Sequence, residues 1–319
     1  MMQAIFFLFA LIFHISNWYP AAMFSNPALW AVPIISSALI LGFYNVCIKQ
    51  SVKENSVVPV LFLATACGSL FYVLLMLCSG ELMNCIRCTP REFGLIWIKS
   101  LIVAMSWGFG YYAMRELPIS IAVPIRATAP LWTFLGAVLF FHEIPSWFQG
   151  LGMLIVFCGY YGFSVLGQKE GISFRKHKGI HTVALATLFG AASGVYDKYL
   201  LGVLQIPKGT VQFYFAVELV ILFGIALLIQ SKFFKSRHKF EFRWWIPTTG
   251  ILLILSDYLY FTAVGMEGTQ ISILSLIRRS GCVVGFLAGV IFYRDKNPAW
   301  KTVALGLILL GVFLLVMAK

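Results

Sequence analysis

Two arginines, Arg126 and Arg278, stand 152 residues apart in stretches that are otherwise almost entirely apolar. A guanidinium group stays charged at any physiological pH and binds a carboxylate or a phosphate through two parallel N–H donors. On a helix that begins near residue 118, Arg126 lies ~12 Å along the axis, close to the centre of a hydrocarbon layer ~30 Å thick. Arg279 follows Arg278 but points about 100° away from it. These arginines predict a binding site for an anion.

Three acidic residues lie in other apolar stretches and leave two alternatives open. Asp197, Glu218 and Asp257 either pair with the arginines as structural ion pairs or exchange a proton during a functional cycle. A guanidinium in lipid costs at least about 2.5–3.5 kcal/mol on insertion scales, so each arginine needs a carboxylate or an anionic ligand as a partner. Because three deep arginines outnumber the two deepest acids, Glu218 and Asp257, we expect a slightly positive centre.

Aromatic residues at similar depths are a second candidate set. Tyrosine and tryptophan rings can line a solute cavity and donate an O–H or N–H group, although most such rings in membrane proteins serve packing or interface anchoring. Tyr44 and Tyr196 rank highest because they too stand 152 residues apart. The remaining candidates are Trp107, Tyr111 and Tyr258.

The composition requires a membrane around these residues. Of 319 residues, 60% are hydrophobic and 11% are charged, which leaves too little polar surface for a soluble core of this size. The apolar runs do not alternate with polar residues as barrel strands do, so helices must satisfy the backbone hydrogen bonds. Runs of ~20 apolar residues predict ten spans at 28–48, 57–79, 93–113, 118–141, 147–167, 180–201, 209–231, 244–264, 269–292 and 299–318.

The second half of the chain repeats the first at a constant offset. Under a shift of 152 residues, Ile119-Ser120-Ile121 matches Ile271-Ser272-Ile273, and Gly159 matches Gly311. Five predicted spans per half is an odd number, so the second copy enters the bilayer inverted, a layout typical of secondary transporters with a site near the midplane. The predicted units are an N-terminal apolar segment (1–27), a first repeat (28–167), a basic connection (168–179) and a second repeat (180–318).

The basic residues predict orientation rather than a nucleic-acid partner. The formal net charge is +12, but these residues lie in the connections between spans, mostly after the odd-numbered ones, which the positive-inside rule makes cytoplasmic. A ten-span core would then begin outside the cell. The apolar run at 4–13 is therefore an eleventh span, a signal-like segment, or an artefact of a true start at Met23; we favour the extra helix.

The sequence contains few residues that could perform metal, redox or enzymatic chemistry. Of seven cysteines, only Cys85 and Cys88 are close together, and they are either two unrelated thiols or a local disulfide. A zinc site would need about four ligands, and no second pair accompanies them. No nucleophile–base pair and no Gly-rich phosphate loop is present either. We therefore expect no enzyme activity, no cofactor and no bound metal.

One stretch resembles a known family. The run from Leu117 through Pro124-Ile125-Arg126-Ala127-Thr128-Ala129-Pro130 to Trp132, continuing to Phe141-His142-Glu143, looks like the fourth span of EamA-type proteins of the drug/metabolite transporter superfamily. Ile277-Arg278-Arg279-Ser280, continuing to Tyr293-Arg294-Asp295, resembles it in the second half. Members move amino acids, sugar phosphates, nucleotide sugars, drugs and other metabolites, and the sugar-phosphate branch has basic residues in the fourth and ninth spans. Family members are usually drawn with ten spans and a cytoplasmic N-terminus, opposite to the orientation that the basic connections predict.

The resemblance and the residues together predict an all-α secondary-active transporter of the plasma (inner) membrane. Its partners would be the lipid bilayer, a small anionic metabolite and protons, with alternating access about a cavity lined by spans 1, 3, 4, 6, 8 and 9. The alternatives are an exporter of amino acids or amphipathic drugs, and a flippase for lipid-linked substrates. The sequence leaves the substrate, the direction of transport and the oligomeric state open.

Overall fold

The computed structural model describes residues 30–126, 128–141, 146–169, 176–233, 238–266, 269–293 and 297–317, and these residues form helices without strands. The helices are α1 (Ala31–Val52), α2 (Val57–Cys78), α3 (Leu82–Ile86), α4 (Pro90–Glu116), α5 (Ile119–Arg126), α6 (Ala129–Phe141), α7 (Trp147–Lys169), α8 (Lys178–Asp197), α9 (Lys208–Phe233), α10 (Trp245–Val264), α11 (Ile271–Arg279), α12 (Cys282–Tyr293) and α13 (Pro298–Met317). A π-helical segment, Lys198–Val203, continues α8. The apolar segment 1–27, Glu143 and Asp295 lie outside the described residues.

Six of the described helical segments are long and apolar enough to cross a membrane: α1, α2, α4, α8 with its π-helical continuation, α9 and α10. Large apolar side chains such as Phe43, Leu70 and Leu228 are exposed on the outside of the bundle. An outer surface of this kind suits a hydrocarbon environment, because the helices already satisfy their backbone hydrogen bonds internally.

The spans predicted at 118–141 and 269–292 are not continuous helices. The first consists of α5 and α6, and the second of α11 and α12. In the first, Pro130 has no backbone N–H and cannot donate to the carbonyl of Arg126, so the regular helix cannot run through. In the second, the break contains Gly281, whose backbone freedom disfavours a helix interior. A hydropathy pattern averages over such short breaks and does not reveal them.

Local signals define the ends of α4, which carries several site residues. Thr89 and Glu92 form a capping box: the Thr89 backbone N–H donates to Glu92 Oε2 (2.7 Å), and the Glu92 backbone N–H donates to Thr89 Oγ1 (3.3 Å). The helix ends before Leu117, which is extended because Pro118 follows. Lys49 Nζ donates to the carbonyls of Met114 (2.8 Å) and Leu117 (2.7 Å), a favourable position for a cation at a helix C-terminus.

Helices of the two halves pack against one another rather than within each half. The closest partners are α1 with α10, α4 with α8, α2 with α9 and α10, and α7 with α13. Small hydroxyl residues connect them: Ser37 and Ser256 each donate to the other's carbonyl oxygen between α1 and α10 (2.7 and 3.0 Å). Ser106 on α4 donates to the Ala186 carbonyl on α8 (2.7 Å). Such contacts are a usual means of joining helices in lipid.

The α7–α13 crossing uses positions that are equivalent in the two halves under the 152-residue offset. A Cβ added to Gly159 would lie 2.7 Å from the Ala304 carbonyl oxygen, and one added to Gly311 would lie 2.5 Å from that of Gly152. Both members of each contact are related by the 152-residue offset. Only glycine allows the two backbones to approach this closely.

The crossing of α1 with the α11–α12 break has no such match. A Cβ on Gly281 would lie 2.0 Å from the carbonyl oxygen of Ala38, so α1 touches the break directly. The offset pairs Gly281 with Ala129 and Ala38 with Gly190. Gly190, on α8, lines an internal cavity. The methyl group of Ala129 therefore stands where the other half needs a glycine.

All seven cysteines are free thiols, including Cys85 and Cys88. Of the two alternatives for this pair, the structure contains two separate thiols.

Candidate functional site

The two helix breaks have the same local construction. At the first, the Thr128 hydroxyl donates to the carbonyl oxygen of Ile125 (2.8 Å), and the Thr128 backbone N–H donates to the same atom (3.0 Å). At the second, the Ser280 hydroxyl and backbone N–H donate to the carbonyl of Ile277 (2.7 and 3.0 Å). Thr128 and Ser280 are 152 residues apart, as are the two isoleucines. Each break therefore closes its last helical turn by a hydroxyl group.

Each break places an arginine at a helix C-terminus inside the bundle. Arg126 is the last residue of α5, and Arg278 is the last but one of α11. The exposed carbonyls at a helix C-terminus carry a partial negative charge, which stabilises a nearby cation. The helix ends thus offset part of the cost of holding two guanidinium groups at this depth.

Both arginines line a cavity of about 80 Å³, enough for several water molecules. Its walls come from α1, α4, α5, α8, α9, α10 and α11. The prediction of lining helices named all of these except α9, which contributes Phe215. The ionisable residues of the lining are Lys99, Arg126, Asp197, Asp257 and Arg278, and Tyr44, Ser106, Trp107, Ser193, Ser275 and Tyr260 are among the others.

Arg278 is held by three neighbours. Its Nη2 forms an ion pair with Asp257 Oδ1 and lies 3.5 Å from the hydroxyl of Ser256. The guanidinium carbon lies 4.1 Å from the centroid of the Tyr260 ring. Stacking of this kind is available to arginine and not in the same form to lysine. Asp257 thus forms an ion pair with one of the predicted arginines.

A second ion pair, which the sequence analysis missed, joins Lys99 to Asp197. The two residues are 1% and 3% exposed, so the pair is almost completely removed from solvent. The Lys99 ammonium also lies 4.4 Å from the ring centroid of Phe215 and 4.8 Å from that of Phe261. A lysine in this setting is neutralised by one carboxylate and two ring faces. In the sequence, the feature that could have indicated this ion pair is Lys99 itself, a single cation inside an otherwise apolar predicted span.

Arg126 has no carboxylate within ion-pair distance among the described side chains. Its guanidinium lies against the backbone of Gly110, where an added Cβ would be 3.0 Å from Nη1. Tyr44 and Tyr111 are its other neighbours, and their hydroxyl groups are hydrogen-bonded to each other. Within the described part of the chain, the positive charge that Arg126 presents to the cavity is therefore offset only by the field of its own helix end.

The two arginines also line a second, smaller cavity. It has about 10 Å³, room for roughly one water molecule, and its other lining residues include Asn45 and Gly281. Arg126 and Arg278 are thus common to both spaces.

Four residues predicted for the site do not line either cavity. Tyr111 is hydrogen-bonded to Tyr44, and the Tyr196 ring is tilted by 44° against that of Tyr199, with 5.9 Å between the ring centroids. Tyr258 lies under the ammonium of Lys208, 4.8 Å from the ring centroid. Glu218 is buried and accepts a hydrogen bond from the Ser100 hydroxyl (2.6 Å). Arg279 ends α11, and its side chain is outside the described part of the structure.

Comparison with known proteins gives a family-model match over part of the chain and a likeness of fold over most of it. Residues 28–165 match the model of the family described as EamA-like transporter family. One solved structure, described only as the crystal structure of a protein, superimposes with a TM-score of 0.68 and 15% sequence identity, covering 92% of this chain and 99% of that one. At this identity the likeness is one of fold. No curated protein matches the sequence. With its apolar helices, the chain is an integral multi-pass membrane protein.

Proposed function

Because residues 28–165 match the model of the EamA-like transporter family, we propose that this membrane protein is a secondary-active transporter of a small, polar, anionic metabolite, as expected of the drug/metabolite transporter superfamily. The observation that carries the proposal is Arg126. Its guanidinium faces a cavity without a carboxylate partner among the described side chains, and two aligned N–H donors are an effective receptor for a carboxylate or phosphate. The solute would supply the missing negative charge.

The proposed architecture is ten spans in two inverted five-helix repeats. Three observations support it: the constant offset of 152 residues, the matched hydroxyl contacts of Thr128 and Ser280, and the doubled glycine crossing of α7 and α13. Discontinuous helices whose ends meet near the midplane are a recurring way to build a solute site in such transporters. We place the protein in the plasma (inner) membrane.

Alternating access is the proposed mechanism. The solute enters the cavity, its anionic group binds Arg126, and the two sets of helices rearrange so that the cavity opens on the other side. Neutralising Arg126 lowers the cost of closing the cavity around a bare cation, because a buried uncompensated charge is expensive. The bound anion therefore favours the occluded intermediate.

Proton coupling is a separable part of the proposal, and Glu218 is its first candidate. Asp197 and Asp257 already neutralise Lys99 and Arg278, whereas no described cation lies within ion-pair distance of Glu218. One Glu218 oxygen accepts from Ser100, and the other, Oε1, is buried without a described partner. Uptake driven by a pH gradient should be lost in Glu218→Gln while exchange of solute across the membrane is retained; unchanged gradient-driven uptake would exclude this role.

The decisive experiment is transport by the purified chain in liposomes. Arg126→Gln should lower uptake of anionic solutes at least about tenfold, since it removes the bidentate anion receptor. Arg91→Gln, the same substitution at an exposed position, is the matched control and should transport normally. Anion uptake that survives Arg126→Gln, or stabilisation of the protein by cationic solutes alone, would contradict the proposal.

A further inference from the structure

The charges in the cavity specify more than the sign of the solute. The described lining contains three cations, Lys99, Arg126 and Arg278, and two carboxylates, Asp197 and Asp257. Two of the cations are paired, so one positive charge remains, at Arg126. A solute with one negative charge restores neutrality, whereas a neutral solute leaves the guanidinium uncompensated.

A second negative charge on the solute would meet no further unpaired cation among the described side chains that line the cavity. Two like charges close together near a protein interior repel one another more strongly than they would in water. A dianion would therefore have to bring a charge close to Asp197 or Asp257, or break one of the two ion pairs. Breaking a buried pair leaves an isolated charge, which is costly.

The same two carboxylates offer acceptors to the solute. Asp197 and Asp257 each use Oδ1 toward their cation, and the second oxygen of a carboxylate can accept a further hydrogen bond. The hydroxyl of Ser106 donates to the Ala186 carbonyl, which leaves its oxygen lone pairs available to the cavity. Hydroxyl groups on a solute are the donors that fit such acceptors without adding charge.

Aromatic rings complete the lining on the α4 and α9 side. The rings of Trp107 and Phe215 are 5.8 Å apart and meet edge to face. They offer an apolar surface for the C–H face of a hydroxylated carbon skeleton. The cavity thus combines one anion receptor, several acceptors and one apolar wall.

From these observations we infer that the solute class is a hydroxylated monoanion, a polyhydroxy monocarboxylate rather than a dicarboxylate, a phosphate monoester dianion or an unsubstituted fatty acid. The inference rests on the proposed anion transport through Arg126 and adds to it the number of charges and the need for hydroxyl donors.

A matched ligand series tests both additions on the full-length protein in detergent. Glucose, gluconate and glucarate share one carbon skeleton and carry zero, one and two negative charges, and hexanoate is a monoanion without hydroxyl groups. In a thermal-stability titration, gluconate should bind at least about tenfold more tightly than the other three, a difference of ~1.4 kcal/mol. Tighter binding of glucarate overturns the charge part, and equal binding of hexanoate overturns the hydroxyl part. No shift with gluconate at millimolar concentration overturns the inference as a whole.

Variants that change the charge of the lining provide the second test. Asp197→Asn raises the net charge of the described lining by one, so the ligand preference should shift about tenfold toward glucarate. Lys99→Gln lowers that net charge by one, so the ligand preference should shift toward glucose. Glu116→Gln, the same loss of a carboxylate at an exposed residue, should leave the preference unchanged. If both lining variants keep the wild-type preference, the charge part of the inference is wrong. Loss of all anion binding in favour of cations would instead contradict the proposed function.

Discussion

Lys99 and Asp197, which are 98 residues apart in sequence, form an ion pair between α4 and α8 at the wall of the central cavity. The pair connects the two halves of the chain at a point where both side chains are almost completely buried. It also neutralises one of the two carboxylates in the described lining of the cavity. The uncompensated charge of the cavity depends on this pairing as much as on the arginine itself.

The first prediction concerns the stability of this pair. Lys99→Met should leave Asp197 as an isolated buried carboxylate and lower the stability by about 3–5 kcal/mol. The double variant Lys99→Met, Asp197→Asn removes both charges and should be more stable than Lys99→Met alone. The measurement is thermal unfolding of the purified variants as a double-mutant cycle. Additive losses in the double variant would show that the two residues are not coupled.

The second prediction concerns the hydroxyl groups at the helix breaks. Thr128→Val and Ser280→Ala each remove one hydrogen bond to a carbonyl in a partly buried turn, and each should cost about 1 kcal/mol of stability. Thr302→Val removes a similar contact, from Thr302 Oγ1 to the Pro298 carbonyl (2.9 Å), at an exposed position and should cost less. A larger loss for Thr302→Val in thermal unfolding would contradict a special role for the breaks.

The third prediction uses two glycines in very different surroundings. Gly281→Ala should destabilise the protein, since the new Cβ would lie 2.0 Å from a backbone oxygen that cannot move without shifting α1. Gly306→Ala meets no atom within 4 Å and should stabilise α13 by roughly 0.5–1 kcal/mol, as alanine favours helix. Melting temperatures of the two variants should therefore move in opposite directions. A Gly281→Ala protein as stable as the parent would show that the α1 crossing is loose.

The fourth prediction concerns two thiols in the connection between α2 and α4: Cys85, which lies in α3, and Cys88, which follows it. Burial raises the pKa of Cys85, with a further rise from Glu81 and a partial decrease from the Tyr72 hydroxyl. Burial and the carboxylates of Glu92 and Glu218 also raise the pKa of the Cys88 thiol.

Only the thiolate reacts with maleimides, and a raised pKa lowers the thiolate fraction at neutral pH. Labelling of single-cysteine variants that retain Cys85 or Cys88 should therefore be slower than that of glutathione at pH 7. The rate should increase about tenfold per pH unit until the raised pKa is reached. A labelling rate already at its plateau at pH 7 would contradict the direction of the shift.

The sequence predicted those site residues that have a counterpart of the same type 152 positions away. Arg126 and Arg278 were found because the 152-residue offset pairs two arginines at similar depth, and the structure places both at the cavity wall. Lys99 was missed because its counterpart in the second half is Ile251, so no repeated pattern points to it. A lysine near the start of a span is also easily taken for one that extends its ammonium to the membrane surface.

Other differences arise because the two halves are not identical in three dimensions. Tyr196 was predicted as the counterpart of Tyr44, but only Tyr44 lines the cavity. The breaks within the predicted spans 118–141 and 269–292 depend on one or two residues, which a pattern of ~20 apolar positions does not resolve. The long helices agree closely because hydropathy and caps act together, as in the Thr89–Glu92 capping box of α4.

The unmatched contact of Gly281 with Ala38 has an energetic consequence for any cycle in which the halves exchange roles. The counterpart of Gly281 is Ala129, which carries the methyl group that Gly281 lacks, so the contact that Gly281 makes with Ala38 is not reproduced in kind at the first break. Conformations related by an exchange of the two halves therefore differ in free energy. For the proposed carrier, we expect the arrangement described above to dominate the solute-free population and the inward and outward half-cycles to run at different rates.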